Sequence, residues 1–144
     1  MRSKTKRLQN KAILLAREYC LERDGYRCQV QKNFPIIALR HSEVLQLDHC
    51  FSRSIKELFL DAANLTIICS VCNQAKGSGK ISASKKDAVT VAVHEIVKKR
   101  EGMDTYNRLL EIASRKCAFK DWNNIKWLTI QIGILESMIE GIEK

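Results

Sequence analysis

One short pattern limits this chain more than any other. An apolar run, Leu65 to Ile68, meets Cys69-Ser70-Val71-Cys72 and continues through Asn73 to Lys76. The run reads as a short extended segment, and Cys69 to Ala75 as the first turns of a helix. Two cysteines three apart at such a junction have the spacing of metal ligands. The other cysteines, Cys20, Cys28, Cys50 and Cys117, stand alone. The basic start, Met1 to Arg7, leads only to the short apolar stretch Ala12 to Ala16, interrupted by Arg17. That is too short for an export signal, so a cytosolic protein is expected, with cysteines as metal ligands or small buried residues rather than disulfides. No apolar run approaches the roughly 20 residues needed to cross a bilayer.

The 144 residues, 45% hydrophobic and 28% charged, have a globular balance and suffice for one domain with a real core. Lys6 to Glu22 is expected to form a helix with Leu8, Ala12, Leu15, Ala16 and Tyr19 on one face, closed by a left-handed Gly25. Phe34 to Leu39, opening near the only proline, Pro35, and Val44 to Leu47 read as the two strands of a hairpin. Ser54 is a candidate cap for a short helix over Ile55 to Leu60, and Lys76 to Lys80 reads as a breaker. Ser84 with Asp87 resembles a capping box for a helix ending near Arg100 at Gly102. Asp104 or Thr105 would begin the next helix. Asp121 would cap the last, with an apolar stripe of Trp122, Ile125, Leu128, Ile132, Leu135, Ile139 and Ile142. Such a stripe is read first as core, and second as a face for another subunit.

Net charge is +9, from 25 Lys and Arg against 16 Asp and Glu. The surplus suits either simple solubility or a polyanionic partner, whose condensed counterions are released on binding. It is concentrated in residues 1 to 32 and again at Lys76, Lys80, Lys85, Lys86 and Lys98 to Arg100.

Around the cysteine pair lie the groups that phosphodiester cleavage needs. Asp48 is an anionic oxygen ligand for a hard divalent ion, and Asn73 would add a neutral oxygen. His49 could take a proton from water, although on a regular strand it points to the side opposite Asp48.

Arg23-Asp24-Gly25-Tyr26-Arg27-Cys28, Leu47-Asp48-His49, Asn64-Leu65 and Cys69-x-x-Cys72-Asn73 with Lys76 together resemble the HNH endonuclease family. Residues 23 to 77 carry the match. The resemblance implies an α+β fold: a small ββα-metal core between an N-terminal basic helix and a C-terminal helical region. Residues 1–80 would hold the first helix and the nuclease core, and 81–144 the helical remainder of one continuous domain. It implies Asp48 and Asn73 as ligands of one catalytic Mg²⁺ or Mn²⁺, and His49 as general base. Asn64 would orient that histidine, and Arg53 would contact the scissile phosphate. Asn73 matches the Asn that follows the second cysteine and ligates the metal in phage endonuclease VII. His49-Cys50-Phe51-Ser52-Arg53, with Asn64 and the Cys-x-x-Cys-Asn run, is more closely similar to the phage NinG (Rap) recombination nucleases. Tyr106, Leu109, Leu110 and Trp122 are a weaker echo of their helical tail. That likeness implies branched recombination DNA as substrate, in a host cytoplasm, with a homodimer through the last helix as an option.

Many relatives hold a structural Zn²⁺ with two Cys-x-x-Cys pairs, but here the first reads Cys28-Gln29-Val30-Gln31. Cys28, Cys69 and Cys72 then need a fourth ligand, for which His41 and Cys50 are candidates. The alternative is that zinc is lost and the three thiols pack as small apolar residues. Lys76, Lys80, Lys85, Lys86 and Arg53 are candidate phosphate contacts. Trp122 and Trp127 read as core or interface anchors rather than base-stacking platforms, Cys20 and Cys117 as core, and His94 as a surface or packing residue. Two competing readings remain at this stage. One is a non-catalytic zinc-ribbon-like nucleic-acid-binding module; the other is a restriction or homing nuclease acting on linear duplex.

Overall fold

The computed structural model describes residues 3–37, 40–77, 83–115 and 119–143, and at 77, 83–87 and 143 the backbone alone. Helix α1 (Lys4–Arg23) starts where the Ser3 hydroxyl accepts the Lys6 amide at 3.2 Å. It stops before Gly25, whose φ of +68° is the left-handed conformation expected of it. Tyr26 follows at φ +54°, and its hydroxyl donates to Glu22 at 2.6 Å.

The chain then forms a five-residue helix, α2 (Gln29–Asn33), over residues to which the sequence assigned no element. The expected strand from Phe34 is absent over Phe34 to Ile37; Ala38 and Leu39 lie outside the described residues. Local hydrogen bonds explain this. The Phe34 amide donates to Val30 and the Ile37 amide to Phe34, while Pro35 has no amide proton to offer a ladder. The sheet is instead β1 (Leu45–His49) paired antiparallel with β2 (Leu65–Cys69), with Asp48 opposite Thr66 and His49 opposite Leu65. A single 3₁₀ turn (Lys56–Leu58) and another (Ala62–Asn64) connect the strands, and Ser54 caps neither.

All five residues of β2 are buried, and their alternation divides the core. Leu65 and Ile67 join Ala12, Ala16, Ile132 and Leu135 between α1 and α6 (Ile125–Glu143). Ile68 joins Cys28, Val30, Val89, Val93 and Leu109 on the side of α4 (Ala83–Glu101) and α5 (Met103–Ser114). Each fully buried Leu or Ile contributes about 1.5–3 kcal/mol, which makes β2 the strand that both layers need. Its outer edge is covered by polar groups. The Arg23 guanidinium donates to the Leu65 carbonyl at 2.6 Å, and the Asp24 carboxylate accepts the Ile67 amide at 2.9 Å. Residues from both halves of the chain contribute to each of the two clusters.

Helix α3 (Ser70–Gly77) leaves β2 directly, as the Cys-x-x-Cys junction implied. Ser84 is the second residue of α4 rather than its cap, and Gly102 ends that helix at φ +89°. Helix α6 is capped by Asn124, whose side chain accepts the Trp127 amide at 3.0 Å, and not by Asp121. Asp121 and Trp122 belong to the preceding 3₁₀ turn. Of the predicted stripe, Leu128, Ile132, Leu135 and Ile139 are buried, whereas Ile125 and Ile142 are exposed. The α6 face offered to a second subunit by sequence is therefore largely covered by α1 within the chain. Among the described residues no helix is long and apolar enough to cross a membrane.

Candidate functional site

Beside β1, Ile13 of α1 and Asn73 and Lys76 of α3 wall a cavity of about 570 Å³. Asp48, His49 and Arg53 line it too, so five of the residues singled out by sequence converge on one space. Neighbouring strand residues alternate in direction, yet Asp48 and His49 line the same cavity here.

Asp48 is buried, and its carboxylate accepts from the Lys76 ammonium at 2.6 Å. Burial pushes its carboxyl upward from the ordinary value, and Lys76 opposes that shift. Lys76 also donates to the His49 carbonyl at 3.2 Å. It therefore stands inside the site as a counter-charge rather than on the surface as a free phosphate contact. The Asn73 amide nitrogen donates to Gln46 at 2.7 Å, which turns its carbonyl oxygen to the other side of the amide. Carboxylate and amide oxygens are donors of the kind a hard divalent ion prefers.

The His49 Nε2 lies 3.1 Å from the Phe59 carbonyl. A carbonyl only accepts, so Nε2 carries the proton and Nδ1 presents the lone pair. Burial, with the cations Arg53, Lys76 and Lys56 nearby, lowers the imidazole to about 4, and it is neutral near pH 7. The ring also packs on Phe59, centroids 4.5 Å apart.

Asn64 lies behind this site. Its carbonyl oxygen accepts the Phe51 amide at 2.8 Å, and its nitrogen donates to Phe51 and Leu58 at 3.1 and 3.3 Å. Asn64 thus meets His49 through the loop and not directly: its bonds hold Phe51 and Leu58, next to the Phe59 carbonyl that contacts the imidazole. Arg100, from α4, donates to the Ala63 carbonyl at 2.9 Å and fixes the same turn from behind.

On the other side of the β2–α3 junction, Cys28, His41, Cys69 and Cys72 bring their donor atoms within 4.8 Å of one another. His41 takes the place left by Gln31, which is exposed. Cys50 is not part of the group; it is buried in the core, and burial pushes its thiol up to about 12. A tetrahedral zinc site, with Zn–S about 2.3 Å and Zn–N about 2.0 Å, has edges of about 3.8 Å between sulfurs and about 3.5 Å between sulfur and nitrogen. Here Cys28 and Cys72 are 3.9 Å apart, and His41 Nδ1 lies 3.6 Å from Cys69 and 3.4 Å from Cys72. His41 Nε2 is buried without a hydrogen-bond partner among the described residues, so the ring's polar contacts are directed at the sulfurs. A hydrogen bond from Cys72 pulls the Cys28 thiol below its ordinary value, and facing Cys28 pushes Cys72 up. This Cys₃His cluster could hold a metal ion such as zinc.

Lys80 and Cys117 lie outside the described residues, as do the side chains of Lys85 and Lys86. Cys20 is a core residue between α1 and α6. His94 is half-buried, its Nδ1 2.8 Å from the Tyr106 hydroxyl. Sequence reading missed Gln46, whose only signal was its position two residues before Asp48 on the same strand face. It missed Phe59 altogether, because a backbone carbonyl carries no residue signature. Compared with protein-family models, with curated proteins and with solved structures, the chain matches none of them.

Proposed function

We propose that this chain is a metal-dependent DNA endonuclease of the HNH kind, acting on branched DNA, with a structural Zn²⁺ on Cys28, His41, Cys69 and Cys72. The β1–β2–α3 order corresponds to the ββα-metal core in that reading. The observation that carries it is the His49 imidazole, held by the Phe59 carbonyl in the same cavity as Asp48, Arg53, Asn73 and Lys76.

In this mechanism His49 Nδ1 takes a proton from water, and the resulting hydroxide attacks phosphorus. Arg53, at the mouth, positions the phosphate. Asp48 and Asn73 would hold one Mg²⁺ or Mn²⁺, which would supply Lewis-acid stabilisation of the phosphate and the departing 3′ oxygen. Lys76, the partner of Asp48, lines the same cavity as His49 and Arg53 and offers a cation to a phosphate there. The exposed bases of α1, among them Lys4, Arg7 and Lys11, track the backbone without reading bases.

The Asp48–Lys76 pair favours a second reading, a zinc-stabilised module that only binds nucleic acid, because the counter-charge is already in place. One assay separates the two. Junction, flap, D-loop and linear duplex DNA are incubated with wild type and His49→Ala in Mg²⁺ or Mn²⁺. The nuclease reading expects cutting of the branched substrates by wild type and a loss of about 10²–10⁴-fold in the variant. Binding without cutting by wild type supports the module.

A further inference from the structure

The aromatic residues near the cavity pack against the core only in part. From His49 a row of rings leads outward, Phe59 at 4.5 Å and then Trp122 at 4.9 Å between centroids. Both Phe59 and Trp122 are only half-buried. The Lys56 ammonium lies 4.5 Å from the Phe59 ring centre and 5.2 Å from that of Trp122, so the ring faces on that side meet a cation rather than apolar packing. Beside them is an open hollow walled by Ser52, Arg53, Ser54, Lys56 and Phe59. Two cations and two hydroxyls suit an anion, and the adjoining rings suit a flat apolar group. Trp122 is also held in place, because the buried Gln9 side chain of α1 donates to its carbonyl at 2.8 Å.

Phosphate plus exposed planar base is the chemistry of an unpaired nucleotide. In a duplex the base faces are stacked away, whereas a single strand offers them to aromatic side chains. We propose that Phe59 and Trp122, with Lys56 and Arg53 beside them, seat one unpaired nucleotide next to the cavity that holds His49. The proposal rests on the nuclease reading for its purpose, since such a seat would favour cutting beside a branch or flap over cutting within plain duplex. Lys56 moves from the ring faces to the phosphate as the base takes its place.

The test reads binding and not cutting. In a Trp127→Phe background Trp122 is the sole tryptophan, and its fluorescence is titrated with a short oligothymidylate and with a blunt duplex of equal length, without added Mg²⁺ or Mn²⁺. The single strand is expected to quench Trp122 saturably and the duplex to do so weakly. By anisotropy, Trp122→Ala should weaken single-strand binding about tenfold, the loss of one stacked base, while Trp122→Phe retains most of it and duplex binding changes less than about twofold. Equal quenching by both DNAs, or none by the single strand, overturns the proposal, and this holds even if Trp122→Ala does not fold. Quenching by a protein that cuts no DNA keeps the seat and removes the nuclease reading. His49-dependent cutting without quenching does the reverse.

Discussion

The β2–α3 junction separates two polar sites of opposite character. On one side four soft donors, three thiols and an imidazole, lie buried within 4.8 Å with edges matching a tetrahedral ion. On the other, an open cavity holds one buried carboxylate already paired with a lysine, one amide and one neutral histidine. The first arrangement is closed and has nowhere for a substrate to enter, as structural metal sites are. The second keeps an opening and balances its charge with a side chain that can move. A few residues of chain therefore carry both a support for the fold and a candidate site for chemistry, and each can be disturbed separately.

The largest effect is expected on the closed side. Structural zinc carries about 10–16 kcal/mol of apparent binding free energy in small domains. Whole domains have only roughly 5–15 kcal/mol of stability. Cys69→Ser should therefore lose zinc and unfold, read as metal content and circular dichroism on the same sample. A folded, metal-free variant would instead make these thiols plain packing residues. On the open side, Lys76→Met leaves the buried Asp48 carboxylate without its partner, and urea melts should show a loss of about 3–5 kcal/mol. Mg²⁺ should restore part of that loss and stabilise this variant more than wild type; an equal response in both would remove Asp48 as a metal ligand.

Asn64→Ala sharpens the comparison from behind. Three buried hydrogen bonds at about 1 kcal/mol each give a loss of about 3 kcal/mol. Cutting should fall as well, because the loop that presents the Phe59 carbonyl is released, while zinc content is unchanged. The smallest effect lies outside both sites. Burial lowers the His94 imidazole below its ordinary value, so the folded chain resists a proton that the unfolded chain accepts below about pH 6.5. Stability should decline as pH falls through that range, and less steeply in His94→Gln; the same slope in both would contradict the assignment.

The two sites were not equally legible in the sequence. Period and spacing revealed β2, α3 and the Cys-x-x-Cys junction, because an apolar run and a ligand pair are local signals. Cys28 and His41 join that pair from distant positions, so His41 stood only as one of two candidates until the fold separated it from Cys50. Asp48, His49, Arg53, Asn73 and Lys76 were named by motif and do converge. What motif could not convey was the Asp48–Lys76 ion pair or the Phe59 carbonyl on His49, both products of tertiary approach. Phe34 to Ile37 was misread as strand because its apolar pattern suits one, while its amides are satisfied by turns and Pro35 offers none. Asp121 was misread as the cap of α6 because Asn124, three residues on, is an equally good cap and lies next to the first turn.

The central claim is that His49 does chemistry beside a metal cluster that only supports the fold. Cleavage rate and zinc content measured together on wild type and His49→Ala test it most directly, with a labelled branched DNA in Mg²⁺. The account predicts zinc retained in both proteins and a rate at least about 10²-fold lower in the variant. Undiminished cutting by a zinc-loaded His49→Ala protein would contradict it.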